Sequence, residues 1–156
     1  MSTTKKLWLG LAALLVASFS VMLWLGADLH QTAPPIPNRV VAANGQVIYT
    51  RADIERGRQV WQSVGGQQLG SIWGHVALIA PDWSADWLHR EAEALAELDS
   101  RASTGEPYAL LDEVEKTRVH AALKPQFRTN TYDARSGDIV VSDLRAQAIS
   151  QVASHY

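Results

Sequence analysis

With 156 residues, six tryptophans, no cysteine and a formal charge of −2, the chain has room for one domain of ordinary size. The acidic balance and the lack of a basic stripe leave nucleic-acid binding without an electrostatic basis. Without thiols there is no disulfide, no thiolate metal site and no Cys-x-x-Cys-His for covalent haem attachment.

The apolar residues are unevenly spread. From Leu7 to Ala27 there is no charge, a run long enough at about 1.5 Å per residue to cross about 30 Å of hydrocarbon. Lys5 and Lys6 precede it and Asp28 follows, so the positive-inside bias puts the N-terminus in the cytoplasm and the rest outside. Trp8 and Trp24 lie near its two ends, where indole rings favour the headgroup zone. A cleaved signal peptide has a similar layout, but its apolar region usually runs only about 7–15 residues, and Leu25-Gly26-Ala27 is a poor small-x-small cleavage site. A retained anchor over residues 1–29 is expected, in contact with membrane lipid. Beyond the uncharged run lie 12 basic and 16 acidic residues, a formal balance of −4.

Residues 30–38 form a linker built on Thr32-Ala33-Pro34-Pro35-Ile36-Pro37, which cannot continue a helix and favours an extended spacer. Arg39–Ala43 and Gln46–Tyr49 flank Asn44-Gly45, predicting a hairpin with a type I′ turn. Thr50-Arg51-Ala52-Asp53 has the form of a capping box. It opens a three-turn helix with Ile54, Val60, Trp61 and Val64 inward, ended by Gly65-Gly66 in left-handed conformations. The Gly- and amide-rich stretch from Gly65 to Pro81 reads as an ordered loop.

Trp83 to Leu98 predicts an amphipathic helix with Trp83, Trp87, Leu88, Ala94, Leu95 and Leu98 inward and Glu91, Glu93 and Glu97 in solvent. After a break at Ser103-Thr104-Gly105, a further helix is expected from near Pro107 to just before Pro125, with Leu110, Leu111, Val114 and Ala121 inward. A second hairpin turns at Arg135-Ser136-Gly137. Ser142 caps a last helix with Leu144, Ala148, Ile149, Val152 and Tyr156 inward; having no ending signal, it reads as truncated.

Chemistry-bearing patterns are sparse. His30, His75, His89, His120 and His155 form no pair at helical metal-binding spacing. His89 and Arg90 beside Glu91 and Glu93 read as a solvated face, and His75 as a structural histidine. Ser63, Ser71 and Ser84 lack a nucleophile elbow. Gly65, Gly66, Gly70 and Gly74 match no phosphate-binding fingerprint, so they read as packing glycines. No catalytic, cofactor or metal residue is therefore assigned. The unusual feature is Trp61, Trp73, Trp83 and Trp87 within 27 residues, each able to bury about 150–250 Å², either in a core or as a docking surface for partner membrane helices.

The stretch Gly57-Arg58-Gln59-Val60-Trp61-Gln62-Ser63-Val64-Gly65-Gly66-Gln67-Gln68-Leu69-Gly70-Ser71-Ile72-Trp73-Gly74-His75 is followed by Ala80-Pro81-Asp82-Trp83-Ser84-Ala85-Asp86-Trp87-Leu88-His89-Arg90-Glu91. Together they resemble the N-terminal region of the single-subunit, quinol-dependent nitric oxide reductases of the haem-copper oxidase superfamily. The likeness covers the whole chain, including Arg128–Asp133 and Gly137–Ser142. It implies a mainly α fold, in which a transmembrane helix precedes a haem-less cytochrome c-like domain over residues 39–156 with two small β-hairpins.

Where relatives carry Cys-x-x-Cys-His, this chain reads Val64-Gly65-Gly66-Gln67-Gln68. The resemblance implies a single-pass protein of a bacterial inner membrane with a periplasmic domain. In the full family enzyme, two nitric oxide molecules are reduced to nitrous oxide on haem b, haem b3 and non-haem iron, held by a multi-span catalytic portion that would be this chain's partner. One hydrophobic run cannot supply such a bundle, so the chain is expected to be structural. Trp61, Gly65, Gly66, Gln67, Trp73, His75, Trp83 and Trp87 are its structural or docking candidates. The alternative is a stand-alone, membrane-anchored binding or scaffold module.

Overall fold

The structure is a computed structural model that describes residues 2–32, 34–72, 74 and 82–156; Trp73, His75 and the side chain of Gln67 lie outside the described residues. The chain divides into two units, Met1–Ile36 and Pro37–Tyr156. The first is a single helix, α1 (Thr3–Thr32), with no buried residue. It is long and apolar enough to cross a membrane, and it continues a turn beyond the uncharged run, so the extended spacer is shorter than residues 30–38.

The second unit is mainly helical. Its elements are β1 (Arg39–Ala42), β2 (Val47–Thr50), α2 (Arg51–Ser63), the single turn α3 (Gly66–Leu69), α4 (Trp83–Thr104), a 3₁₀ turn (Tyr108–Leu110), α5 (Glu113–Arg128), β3 (Tyr132–Asp133), β4 (Asp138–Val141) and α6 (Asp143–Ala153). Both expected hairpins form. The first does not close with a two-residue turn at Asn44-Gly45: the Gly45 amide donates to the Ala42 carbonyl, the Ala42 amide to Gln46, and the register shifts between Val40 and Val41. A four-residue connection forms because Asn44 is held from both sides. Its side chain accepts from the Gln46 amide, and its amide donates to Asp143 at 2.9 Å.

The two hairpins join into one sheet of order β2-β1-β4-β3, because β1 and β4 pair in parallel from Arg39↔Asp138 to Ala42↔Val141. Arg39 Nη2 reaches the buried Asp138 carboxylate at 2.6 Å across that pair. A charge-assisted bond of this kind ties together strands 99 residues apart.

The core has two parts. Leu95, Ala96, Leu111, Val119, Leu123 and Ala148 pack α4, α5 and α6 together, while Ala42, Val141, Ala146 and Ile149 seat α6 against the sheet. Helix caps follow sequence chemistry. Asp82, Asp112 and Ser142 each accept the amide three residues on, and Gly105 ends α4 at φ +80, a left-handed value that glycine adopts without steric cost.

Three helical assignments differ from expectation. The segment near Pro107 is a 3₁₀ turn, and α5 starts only after the Asp112 cap. That rotates its inner face to Val119 and Leu123, leaving Leu110, Val114 and Ala121 exposed. Helix α5 also runs through Pro125 to Arg128 instead of stopping before it. Its last turn is held by Phe127, which packs on the core under the Arg145 guanidinium at 4.7 Å, while Arg145 Nη1 donates to the Gln126 carbonyl. Glu91, expected in solvent, is buried. Arg145 from α6 and the Trp87 indole both point at its carboxylate.

Candidate functional site

Helix α2 begins with the capping box read from the sequence. Thr50 accepts the Asp53 amide, and the Asp53 carboxylate takes back the Thr50 amide at 2.9 Å and its hydroxyl at 2.6 Å. Those Thr50 bonds hold the Asp53 carboxyl below the usual carboxylate range. The inward face expected for α2 is not buried. No residue of the helix is buried, and Val60 and Val64 are 56% and 63% exposed. The helix lays its apolar stripe along an open wall instead.

The end of α2 is shaped around Trp61. Gly65 turns the chain at φ +69. Gly66 is not left-handed as expected; it opens α3, and its role is spatial, since a Cβ there would overlap the Trp61 indole ring. The indole Nε1 is buried with no acceptor among the described residues, a state that costs about 1–3 kcal/mol relative to a satisfied donor.

Across from Trp61, the first turn of α4 presents Trp83 and Trp87. Asp82 sets the start of that helix: its carboxylate accepts the Ala85 amide and the Ser71 hydroxyl, both at 2.8 Å, and the Gly74 amide. The Ala85 amide, with Ser71 and Gly74 behind it, holds the Asp82 carboxyl below its usual range. Trp87 is oriented by its Nε1–H bond to Glu91 Oε2 at 3.0 Å.

Tyr156 closes the set. Its ring stacks on Trp87 with centroids 5.7 Å apart and meets Trp83 edge-on at 6.4 Å. Its hydroxyl donates to Asp86, which also takes Arg90 Nε at 2.9 Å. Arg90 foremost, and then Tyr156, hold the Asp86 carboxyl low, and the bond to Asp86 raises the Tyr156 phenol. Tyr156 was expected inward on α6; the helix ends at Ala153, and the ring lies over the tryptophans, 59% exposed.

Together Val60, Trp61, Val64, Trp83, Trp87 and Tyr156 line an open groove of ≈ 950 Å³, with Asp53, Arg56 and Gly57 at its border. Of the sequence-derived candidates, Trp61, Trp83 and Trp87 come together here, and Gly65 and Gly66 shape the turn below. Val60, Val64 and Tyr156 were missed as surface residues because apolar periodicity marks a helix face without saying that it lacks a partner.

Among the described residues the groove offers apolar and aromatic surface but no paired acid and base. Among the described residues no group of three metal-ligating side chains exists. A second cleft holds His89, Glu93, Glu97, Tyr108 and His120; there the Tyr108 hydroxyl and His120 Nε2 lie 2.8 Å apart and His89 meets Glu93 at 3.3 Å, satisfying one another. A haem held through thioethers does not fit the turn below the groove. The chain has no cysteine, and the space beside the Gly66 backbone is taken by the Trp61 ring.

A search of curated proteins returns no match. A family model described as the NorB-type cytochrome c-like domain of nitric oxide reductase matches residues 37–156, the whole of the second unit. The chain therefore belongs to the NorB family of nitric oxide reductases, as an N-terminal region carrying its cytochrome c-like domain.

Proposed function

We propose that this chain is the membrane anchor and periplasmic domain of a quinol-dependent nitric oxide reductase, with a structural and not a catalytic role. In this reading α1 spans the inner membrane with its N-terminus in the cytoplasm, as Lys5 and Lys6 before the apolar run and Asp28 after it favour. The reduction of two nitric oxide molecules to nitrous oxide and water, with electrons from quinol, takes place on haem b, haem b3 and non-haem iron in the multi-span portion, which is this chain's partner.

The observation that carries the reading is the match to a cytochrome c-like domain in a sequence without a single cysteine. Electron transfer through a thioether-bound haem has no place here, whereas a packed helical shell on a membrane tether suits a cap on the catalytic bundle. Co-expression of the tagged chain with the multi-span portion, followed by affinity purification in mild detergent, tests this. The two are expected to purify together. A chain that purifies as a monomer and leaves the multi-span portion behind would favour the stand-alone module.

A further inference from the structure

Trp87 and Tyr156 bring together two oxidisable rings, each with its acidic hydrogen on a carboxylate. The rings stack with centroids 5.7 Å apart at 17°. The Trp87 Nε1–H donates to Glu91 at 3.0 Å, and the Tyr156 hydroxyl donates to Asp86. Trp83 meets the Tyr156 ring edge-on at 6.4 Å. In a chain without cysteine, indole and phenol are the side chains that lose a single electron most readily.

Stacked rings by themselves serve packing; the two carboxylates set this pair apart. An indole that loses an electron becomes positive, and the Glu91 carboxylate beside its nitrogen stabilises that charge at short range. Glu91 is bound in turn to Arg145 at 2.6 Å, which fixes its position. A phenol that loses an electron becomes a far stronger acid than any carboxylic acid and must shed its proton. Asp86 stands within hydrogen-bond reach of that proton, as an acceptor must. Arg90, at 2.9 Å from the same carboxylate, keeps Asp86 ionised and able to accept it. Tyr108 supplies the contrast: it has a base, His120 at 2.8 Å, but no tryptophan ring against it among the described residues.

We propose that Trp83, Trp87 and Tyr156 form a one-electron relay in which a hole placed on an indole passes to Tyr156, with the phenolic proton going to Asp86. The oxidant is a small radical such as nitrogen dioxide, which forms where nitric oxide meets dioxygen. It takes one electron from the indole and leaves as nitrite. The indole radical cation then takes an electron from Tyr156 and is restored. The phenolic O–H bond breaks, its proton bonds to an Asp86 oxygen, and a neutral tyrosyl radical remains. One electron from a reductant such as ascorbate, with the proton returned from Asp86, completes the cycle. The relay turns over no nitric oxide and stands or falls independently of the structural role proposed above.

The test is pulse radiolysis of the full chain in detergent micelles, with azidyl radical as the probe because it oxidises indoles in preference to phenols. Tryptophanyl absorption is expected to decay as tyrosyl absorption rises, in a first-order phase whose rate does not depend on protein concentration. Tyr156→Phe, which keeps an aromatic ring on Trp87, is expected to abolish that phase and leave a long-lived tryptophanyl radical. Tyr108→Phe is expected to leave it intact. Asp86→Asn retains an oxygen that can accept the phenolic hydrogen bond but not the proton, and is expected to slow the phase about tenfold; Asp86→Glu should restore most of the rate. A tyrosyl phase that survives Tyr156→Phe, or that disappears in Tyr108→Phe, overturns the proposal. So does an Asp86→Asn chain that transfers as fast as the parent.

Discussion

Arg145 on α6 and Glu91 on α4, 54 residues apart, meet at 2.6 Å with Glu91 only 2% exposed, and the second Glu91 oxygen receives the Trp87 indole. The pair links the helix that seats on the sheet to the helix that builds the groove. Removing one partner strands a buried charge, so Arg145→Ala is expected to destabilise by about 3–5 kcal/mol. Replacing both, with Glu91→Leu and Arg145→Met, is expected to recover much of that loss. Urea unfolding of the two variants checks the contrast; equal losses would mean that packing alone, and not the stranded carboxylate, sets the cost.

Gly66→Ala places a methyl into the Trp61 ring. Overpacking of this kind costs about 1–3 kcal/mol, and the ring must move outward. A lower melting temperature with red-shifted tryptophan emission is expected, and Trp61→Phe in the same background should relieve part of the loss.

Gly65→Ala acts through the backbone instead, because φ +69 is strained for a residue with a side chain. About 1–2 kcal/mol is expected. Emission should stay unshifted, which separates it from Gly66→Ala.

Acid should loosen the domain in a definite window. The carboxyls of Asp53, Asp82, Asp86 and Glu97 all titrate below their ordinary values, held down chiefly by Thr50, the Ala85 amide, Arg90 and the Tyr108 amide respectively. A depressed folded value means that the unfolded chain binds protons first, so stability rises with pH. Their contribution is complete above the ordinary carboxylate range near pH 4 and is lost as pH falls below it. Thermal melts between pH 7 and pH 3 check this, with a flat profile down to about pH 5 expected.

Much of the fold was legible from local chemistry. The Thr50–Asp53 capping box, the Ser142 cap, Gly105 at the end of α4 and Gly137 in the second hairpin each do what their residue types require. What failed was decided at long range. Glu91 reads as a solvated charge on any helical wheel, and Arg145 together with the Trp87 indole makes its burial tolerable. Pro125 reads as a stop until Phe127 and Arg145 hold the turn beyond it. The parallel pairing of β1 with β4 leaves no trace in either hairpin's own sequence, since its partners are 99 residues apart. The tryptophans of the groove were visible, but their openness depends on α2 having no cover among the described residues, which composition does not record.

The central claim, a chemically silent cap on a catalytic membrane bundle, is met most directly by nitric oxide consumption at an electrode with a reduced quinol analogue. Purified chain in liposomes should consume none, while the same chain co-purified with its multi-span portion should consume nitric oxide and release nitrous oxide. Consumption by the chain alone would contradict the account.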